Sequence, residues 1–234
     1  MVERKTISIG PGSIVGFILQ VGSHQPLKEK GEELEEKESS PMEDLMKEHG
    51  VIERIMLIYQ RMIEKAITGQ EVDVSVISRA SKMVNEYVSK HHERDEEKYV
   101  FPKFREANYI VDLVDTLEHQ HNVSRQLNMQ VMELSSKGAT KITQDEAVRL
   151  LDLCGMFINM YLPHISRENT ILFPTFFDIV SHEYVQDVKK KMEDEEEKVL
   201  GDTGFRGFVG HVAELEKEVG CHELSQYTAQ LDQS

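Results

Sequence analysis

Apolar residues recur at helical spacing in four long stretches of the chain, and histidine or glutamate interrupts each stripe. The first stripe reads Leu45, His49, Ile52, Met56, Tyr59 and Ile63, each three or four residues from the next. That is the period of one buried face of an α-helix. A second, over about 74–104, carries Val84, Val88, His92, Glu96 and Tyr99. A third, over about 111–136, carries Val114, Leu117, His121, Val131 and Leu134. The fourth runs to about 180 through Leu151, Cys154, Ile158, Tyr161, His164, Glu168 and Leu172.

Punctuation between the stripes agrees with their period. Ser40-Pro41-Met42-Glu43 and Thr143-Gln144-Asp145-Glu146 read as capping boxes, the first with proline at the opening helical position. Thr68-Gly69 and the stretch from Ser135 to Gly138 close helices. Strand signals are nearly absent. Four long helices with short connections predict an all-α fold, an up-down-up-down four-helix bundle.

The rest of the chain is organised differently. Residues 1–27 are irregular and residues 28–39 form a charged linker, so 1–40 read as an extension ahead of a bundle at 41–180. Residues 181–234 open with charged runs, turn at Gly201-Asp202-Thr203-Gly204, and continue through Phe208, Val212, Leu215 and Val219. That stretch predicts accessory C-terminal helices packed outside the bundle, or equally an oligomer contact.

Composition narrows the function. At 234 residues the chain suits one domain with extensions and can bury a real core. Its formal charge of -15 repels phosphates and anionic lipid, which argues against nucleic-acid and membrane partners. Cys154 and Cys221 form neither a CxxC pair nor a disulfide framework, which suits a reducing compartment, with Cys154 expected to be an inert buried thiol. No apolar run reaches the ~18 residues of a membrane span. The most hydrophobic N-terminal stretch, residues 14–22, follows Glu3 and Pro11 and lacks a small-residue cleavage site, so a cytoplasmic location is expected.

The second and fourth stripes carry the same phrase. His92-Glu93-Arg94-Asp95-Glu96 precedes Phe101-Pro102, and His164-Ile165-Ser166-Arg167-Glu168 precedes Phe173-Pro174, 72 residues later. His49 and His121 repeat the same offset, as do Leu45 and Leu117. Three functional pairs at one offset indicate an internally duplicated helical hairpin. A His and a Glu four residues apart share one helix face. Two such helices bring two carboxylates to the bundle centre, where each can bridge two cations. Imidazole with carboxylate suits iron, with manganese or zinc next. Any one of these residues alone is more often a packed core histidine or part of a solvated face. The repeated set of four histidines and two glutamates on apolar stripes is what points to metal, because unpaired buried carboxylates are costly.

With Lys47-Glu48-His49, His91-His92 and Glu96-Glu97, Glu118-His119-Gln120-His121, and His164 with Glu168 in that order, residues 43–178 resemble the hemerythrin-like, cation-binding bundle proteins. The resemblance implies a four-helix bundle around two iron ions joined by an oxo or hydroxo bridge. His49, His92, His121 and His164 would then be terminal ligands, and Glu96 and Glu168 the bridging carboxylates. Oxygen-carrying members have a further histidine where this chain has Arg125, and an aspartate one residue beyond the position of Glu168. The first departure leaves a coordination position for water, Glu93 or an exogenous ligand.

The resemblance implies binding of dioxygen or a related diatomic or peroxide ligand, for sensing, storage or detoxification. The alternatives are an enzyme acting on peroxide or nitric oxide, or iron delivery for repair. Repair members carry an N-terminal cysteine-bearing domain, and no cysteine precedes Cys154. A regulatory role through the C-terminal extension, with a homodimer or protein partner, is the third reading. Among the neighbours, His91 and Glu97 are expected to orient ligands, His119 to lie at the surface or behind the site, and Tyr99 and Tyr161 to pack in the core. His24, His182, His211 and His222 are expected to be solvated.

Overall fold

The computed structural model describes residues 39–138 and 141–231, apart from the side chain of Asp202. The expectations for residues 1–38, among them the charged linker, the apolar 14–22 stretch and His24, lie outside the described residues. All those described belong to one compact unit.

Among the described residues there are six helices and no strand. Helix α1 is Pro41–Ile67, α2 spans 74–106, α3 is Val111–Ser136, α4 spans 144–179, α5 is His182–Leu200 and α6 is Gly204–Val219. None is long and apolar enough to cross a membrane. Both capping boxes form. Ser40 Oγ accepts the Glu43 N–H at 3.2 Å while the Glu43 carboxylate accepts the Ser40 N–H at 2.7 Å. Thr143 and Glu146 do the same for α4. Each such cap stabilises its helix by about 1 kcal/mol.

Helices α1 and α3 each pack against both α2 and α4, closing a four-membered ring. Side-chain contacts give the direction. Asn128 bonds to Ser81, Ser124 to Glu93 and Arg105 to Asp115, so α3 descends as α2 ascends. Gln120 meets His164 and Gln130 meets Arg149, which sets α3 antiparallel to α4.

The core has two apolar clusters. One includes Ile52, Met56, Val84, Val88, Leu127 and Tyr161. The other includes Leu45, Phe101, Phe104, Leu117, Phe173 and Phe176. Each fully buried Phe contributes roughly 1.5–3 kcal/mol of transfer free energy. On every bundle helix the polar seam residues fall between a residue of one cluster and a residue of the other, so the polar layer is closed above and below by hydrocarbon.

The C-terminal helices complete this core. Helix α6 packs on α1 and α2, and α5 packs on α1 and α2 as well as on α6. Phe208, Val212, Leu215 and Val219 join the first apolar cluster, and Val185, Val188 and Met192 the second. Arg54 on α1 clamps Glu216 on α6 with two hydrogen bonds of 2.8 and 2.6 Å.

One feature departs from the regular α-helices that the apolar spacing predicts. Helices α2 and α4 widen to π-helix over Glu96–Val100 and Glu168–Leu172, and α2 also over Val84–His92. Phe101 N–H bonds to Glu96 O, and Phe173 N–H to Glu168 O, each five residues back. Pro102 and Pro174 follow immediately. A proline lacks the N–H for an α-helical bond, and its ring clashes with the carbonyl four residues back, so the turn ahead of it widens. Each Phe-Pro pair thus places a π turn that begins at a buried glutamate, Glu96 or Glu168.

Candidate metal centre

His49, His92, His121 and His164 come from four different helices, one each, and Glu96 and Glu168 from α2 and α4. All six are at most 1% exposed. Their ligand atoms form two overlapping groups, one of His49, His92, Glu96 and Glu168, the other of His121, His164, Glu96 and Glu168. Within each group the atoms lie within 4.8 Å of one another, and both carboxylates belong to both groups. The six residues singled out from the sequence therefore converge.

The contacts are specific. Glu168 Oε2 lies 3.3 Å from His49 Nε2 and its Oε1 lies 3.0 Å from His164 Nε2. Glu96 Oε1 lies 3.7 Å from His92 Nε2 and its Oε2 lies 3.3 Å from His121 Nε2. Each carboxylate therefore reaches from one pair of imidazoles to the other.

The outer ring nitrogens are all held. His92 Nδ1 bonds to Glu48 at 2.8 Å and His164 Nδ1 to the Gln120 amide oxygen at 2.9 Å. His121 Nδ1 bonds to Glu97 at 3.1 Å and His49 Nδ1 to the Asn169 amide oxygen at 2.7 Å. An acceptor at Nδ1 selects the tautomer that carries its proton there and turns a lone pair at Nε2 inward, as metal-bound histidines require. Phe101 stacks on His121 and Phe173 on His49, at centroid distances of 5.3 and 5.4 Å.

These partners obey the duplication. Glu48 and Gln120 are 72 residues apart, as are Glu97 and Asn169, and Phe101 and Phe173. Sequence reasoning anticipated an orienting role for Glu97 but missed Glu48, Gln120 and Asn169. Extending the repeat by one residue on either side of the six converging residues would have found them.

The donor set fits a pair of cations. His49 Nε2, His92 Nε2 and all four oxygens of Glu96 and Glu168 are buried without a hydrogen-bond partner. His121 and His164 turn their Nε2 atoms toward each other at 3.2 Å. With both Nδ1 atoms donating outward, two lone pairs face one another, and a proton or a metal ion must lie between them.

The surrounding carboxylates favour protons on His92 and His121. Burial opposes charge on His92, yet Glu96 and Glu48 outweigh it and raise its pKa from 6.5 to about 9. His121 rises against burial to about 10 because the Glu96 and Glu97 carboxylates lie beside it. Burial would raise Glu168, but His164 and His49 hold it well below the carboxylate range. Burial would likewise raise Glu48, and His91 and His92 bring it down to about 2.

Several neighbours differ from expectation or sharpen it. Glu93 belongs to neither group. Its carboxylate accepts from Ser124 at 2.6 Å, Tyr161 at 2.9 Å and Arg125 at 3.0 Å. Arg125, at the position where the oxygen carriers have a histidine, also reaches Glu97 at 2.8 Å. Tyr161 packs in the core and in addition anchors Glu93, while Tyr99 bonds to Glu195 at 3.1 Å. His91 is buried but approaches Glu48, at 3.5 Å, rather than one of the four inward histidines. His119, His182, His211 and His222 are exposed.

Comparison with known proteins agrees with this geometry. Three uncharacterized proteins, two from Mycobacterium tuberculosis strains and one from Mycobacterium bovis, are each 33% identical to the chain over 186 residues, covering 80% of this chain and 72% of theirs. No solved structure matches. The model of the hemerythrin HHE cation binding domain matches residues 40–176. With its helical bundle and its buried His/Glu clusters suited to metal, the chain belongs to the hemerythrin HHE cation-binding domain family.

Proposed function

We propose that the chain holds two iron ions and binds dioxygen or a related small ligand at them, for sensing, storage or detoxification. His49 and His92 would hold one ion, His121 and His164 the other, with Glu96 and Glu168 available to both. The observation that carries this reading is the pair of four-residue groups that share both carboxylates, with their inward atoms unpartnered. Mixed imidazole and carboxylate donors suit iron among first-row metals. Such a pair of irons supplies two electrons and open coordination positions to a small oxygen species.

The chain's own residues set the conditions. Glu48, Glu97, Gln120 and Asn169 hold the rings so that little reorganisation accompanies metal entry. The apolar clusters on either side exclude water, which slows hydrolytic loss of a bound ligand. Two histidines and two shared carboxylates would give each ion four protein donors, fewer than the six of an octahedral site.

A second reading, turnover of peroxide or nitric oxide, is favoured by Arg125. Its guanidinium pairs with Glu93 and Glu97 and supplies no ligand, so the ion near His121 has more room for substrate. Anaerobic loading with ferrous iron, followed by oxygen under an optical spectrometer, separates the two. A band that vanishes under vacuum and returns supports the binder. Immediate ferric conversion, with added peroxide consumed, supports the enzyme. No band and no bound iron, with His92→Ala and Glu168→Ala leaving metal content unchanged, would sink both.

A further inference from the structure

A cavity of about 510 Å³ opens beside the centre, between the start of α1, the middle of α2, helix α5 and the 201–205 turn. Its wall carries Glu48, His91 and Glu196, whose ligand atoms all lie within 4.8 Å of one another. His91 is 2% exposed, and neither of its ring nitrogens has a hydrogen-bond partner. Its Nε2 faces Glu48 Oε1 at 3.5 Å, and its Nδ1 faces Asp95 Oδ2 at 3.4 Å. Asp95 is itself fully buried, with both oxygens unpartnered. His91 therefore lines the cavity with an unpartnered imidazole, and the buried Asp95 behind it does not satisfy that ring. Such groups ordinarily mark an ion or a missing partner.

We propose that Glu48, His91 and Glu196 form a third cation site, open to solvent and taking a divalent first-row transition ion. The imidazole selects ions of the Fe²⁺, Mn²⁺ and Zn²⁺ class over Mg²⁺ or Ca²⁺, which prefer oxygen alone. Asp95 stands behind His91 with Oδ2 3.4 Å from Nδ1, placed to accept Nδ1–H once a metal takes Nε2, the carboxylate–imidazole–metal arrangement that strengthens a histidine ligand. Lys47 and Lys189 also line the cavity, but Asp44 holds Lys47 at 2.8 Å and Glu193 lies 3.7 Å from Lys189. Glu48 joins this site to the centre, since its other oxygen holds His92 Nδ1. A cation at the outer site thus sits one carboxylate away from a ligand of the inner one. The site stands on its own residues and does not depend on the di-iron reading.

Equilibrium dialysis of the full chain against Zn²⁺ tests it. The wild type binds three ions per chain, while Glu196→Gln and His91→Gln each bind two. Glu196 is only half-buried, so its variant reports even if the His91 variant fails to fold. Glu133→Gln, which removes one exposed carboxylate from α3, retains three. Equal counts in the wild type and Glu196→Gln, or the loss of an ion in Glu133→Gln as well, overturn the proposal. A wild type binding one ion and a Glu196→Gln variant binding none would uphold the outer site and defeat the two-metal centre instead.

Discussion

Glu48 holds the Nδ1 of His92 at 2.8 Å, and 72 residues later Gln120 holds the Nδ1 of His164 at 2.9 Å. The second pair of orienting contacts crosses over. Glu97 from the first half of the repeat reaches His121 in the second, and Asn169 from the second reaches back to His49 in the first. Neither half could orient its own first-helix histidine, so the duplicated hairpins complete one another. The symmetry is incomplete in charge, because one half supplies carboxylates and the other amides. Each four-residue group therefore has one anionic and one neutral orienting partner.

That asymmetry can be tested by equalising it. In Glu97→Gln the amide still accepts from His121 Nδ1 but gives up its charge, and metal affinity at the His121–His164 position is expected to fall about tenfold. Asn169→Ala leaves His49 Nδ1 without an acceptor, and a loss nearer a hundredfold is expected at the His49–His92 position. Competition against a chelator of known affinity reads both. Unchanged affinity in both variants would remove the orienting role.

Arg125 is expected to be structural. Its removal leaves the Glu93 carboxylate fully buried with only the Ser124 and Tyr161 hydroxyls. Breaking a buried pair costs about 3–5 kcal/mol, and partial exposure of Arg125 together with the two hydroxyls reduces this to about 2 kcal/mol for Arg125→Met. Thermal unfolding should show a drop of roughly 4–8 °C at this chain length. Adding Glu93→Gln to Arg125→Met should recover part of it. Failure of the double variant to recover any stability would show that the charge is not the cause.

Protons and metal compete for the centre. His92 and His121 have pKa values raised from 6.5 to about 9 and about 10, so their contribution to stability without metal is complete below pH 6.5. It is lost as pH rises through 9 to 10. Glu48, lowered from 4.5 to about 2, contributes above pH 4.5 and loses that contribution as pH falls through 2. Metal-free protein should therefore be most stable between about pH 4.5 and 6.5 and weaken toward pH 10. At pH 7.5 metal entry should release about two protons per chain, measured by calorimetry in buffers of different ionisation enthalpy. Release of none would contradict protonated His92 and His121.

Cys154 should stay silent in the native state. Its side chain is fully buried, and burial pushes its thiol up from 9.0 to about 12. In a Cys221→Ser background, a thiol reagent at pH 8 should label Cys154 only as fast as the chain opens, with full labelling in denaturant. Rapid native labelling would mean that the α1–α4 packing is looser than described.

The apolar period determined much by itself. Stripes at three- and four-residue spacing set four long helices, the two capping boxes set where α1 and α4 begin, and the 72-residue repeat picked out the six inward polar residues. These are local signals, written within one turn or one repeat of the chain. Glu48, Gln120 and Asn169 were legible only in part, because a hydrogen bond between residues 44 or 120 positions apart leaves no mark in local periodicity. The use of Glu93 by Ser124, Tyr161 and Arg125 was likewise decided where α2, α3 and α4 meet. Tertiary packing also decided the fate of the amphipathic C-terminal stretch. Its apolar face reads the same whether it meets a second copy or its own bundle, and only the fold shows α6 packed against α1 and α2. The π turns lie between these limits, since Phe101-Pro102 and Phe173-Pro174 carry the local cause. Only the fold shows that the widened turns fall at Glu96 and Glu168, where two carboxylates must face two pairs of imidazoles.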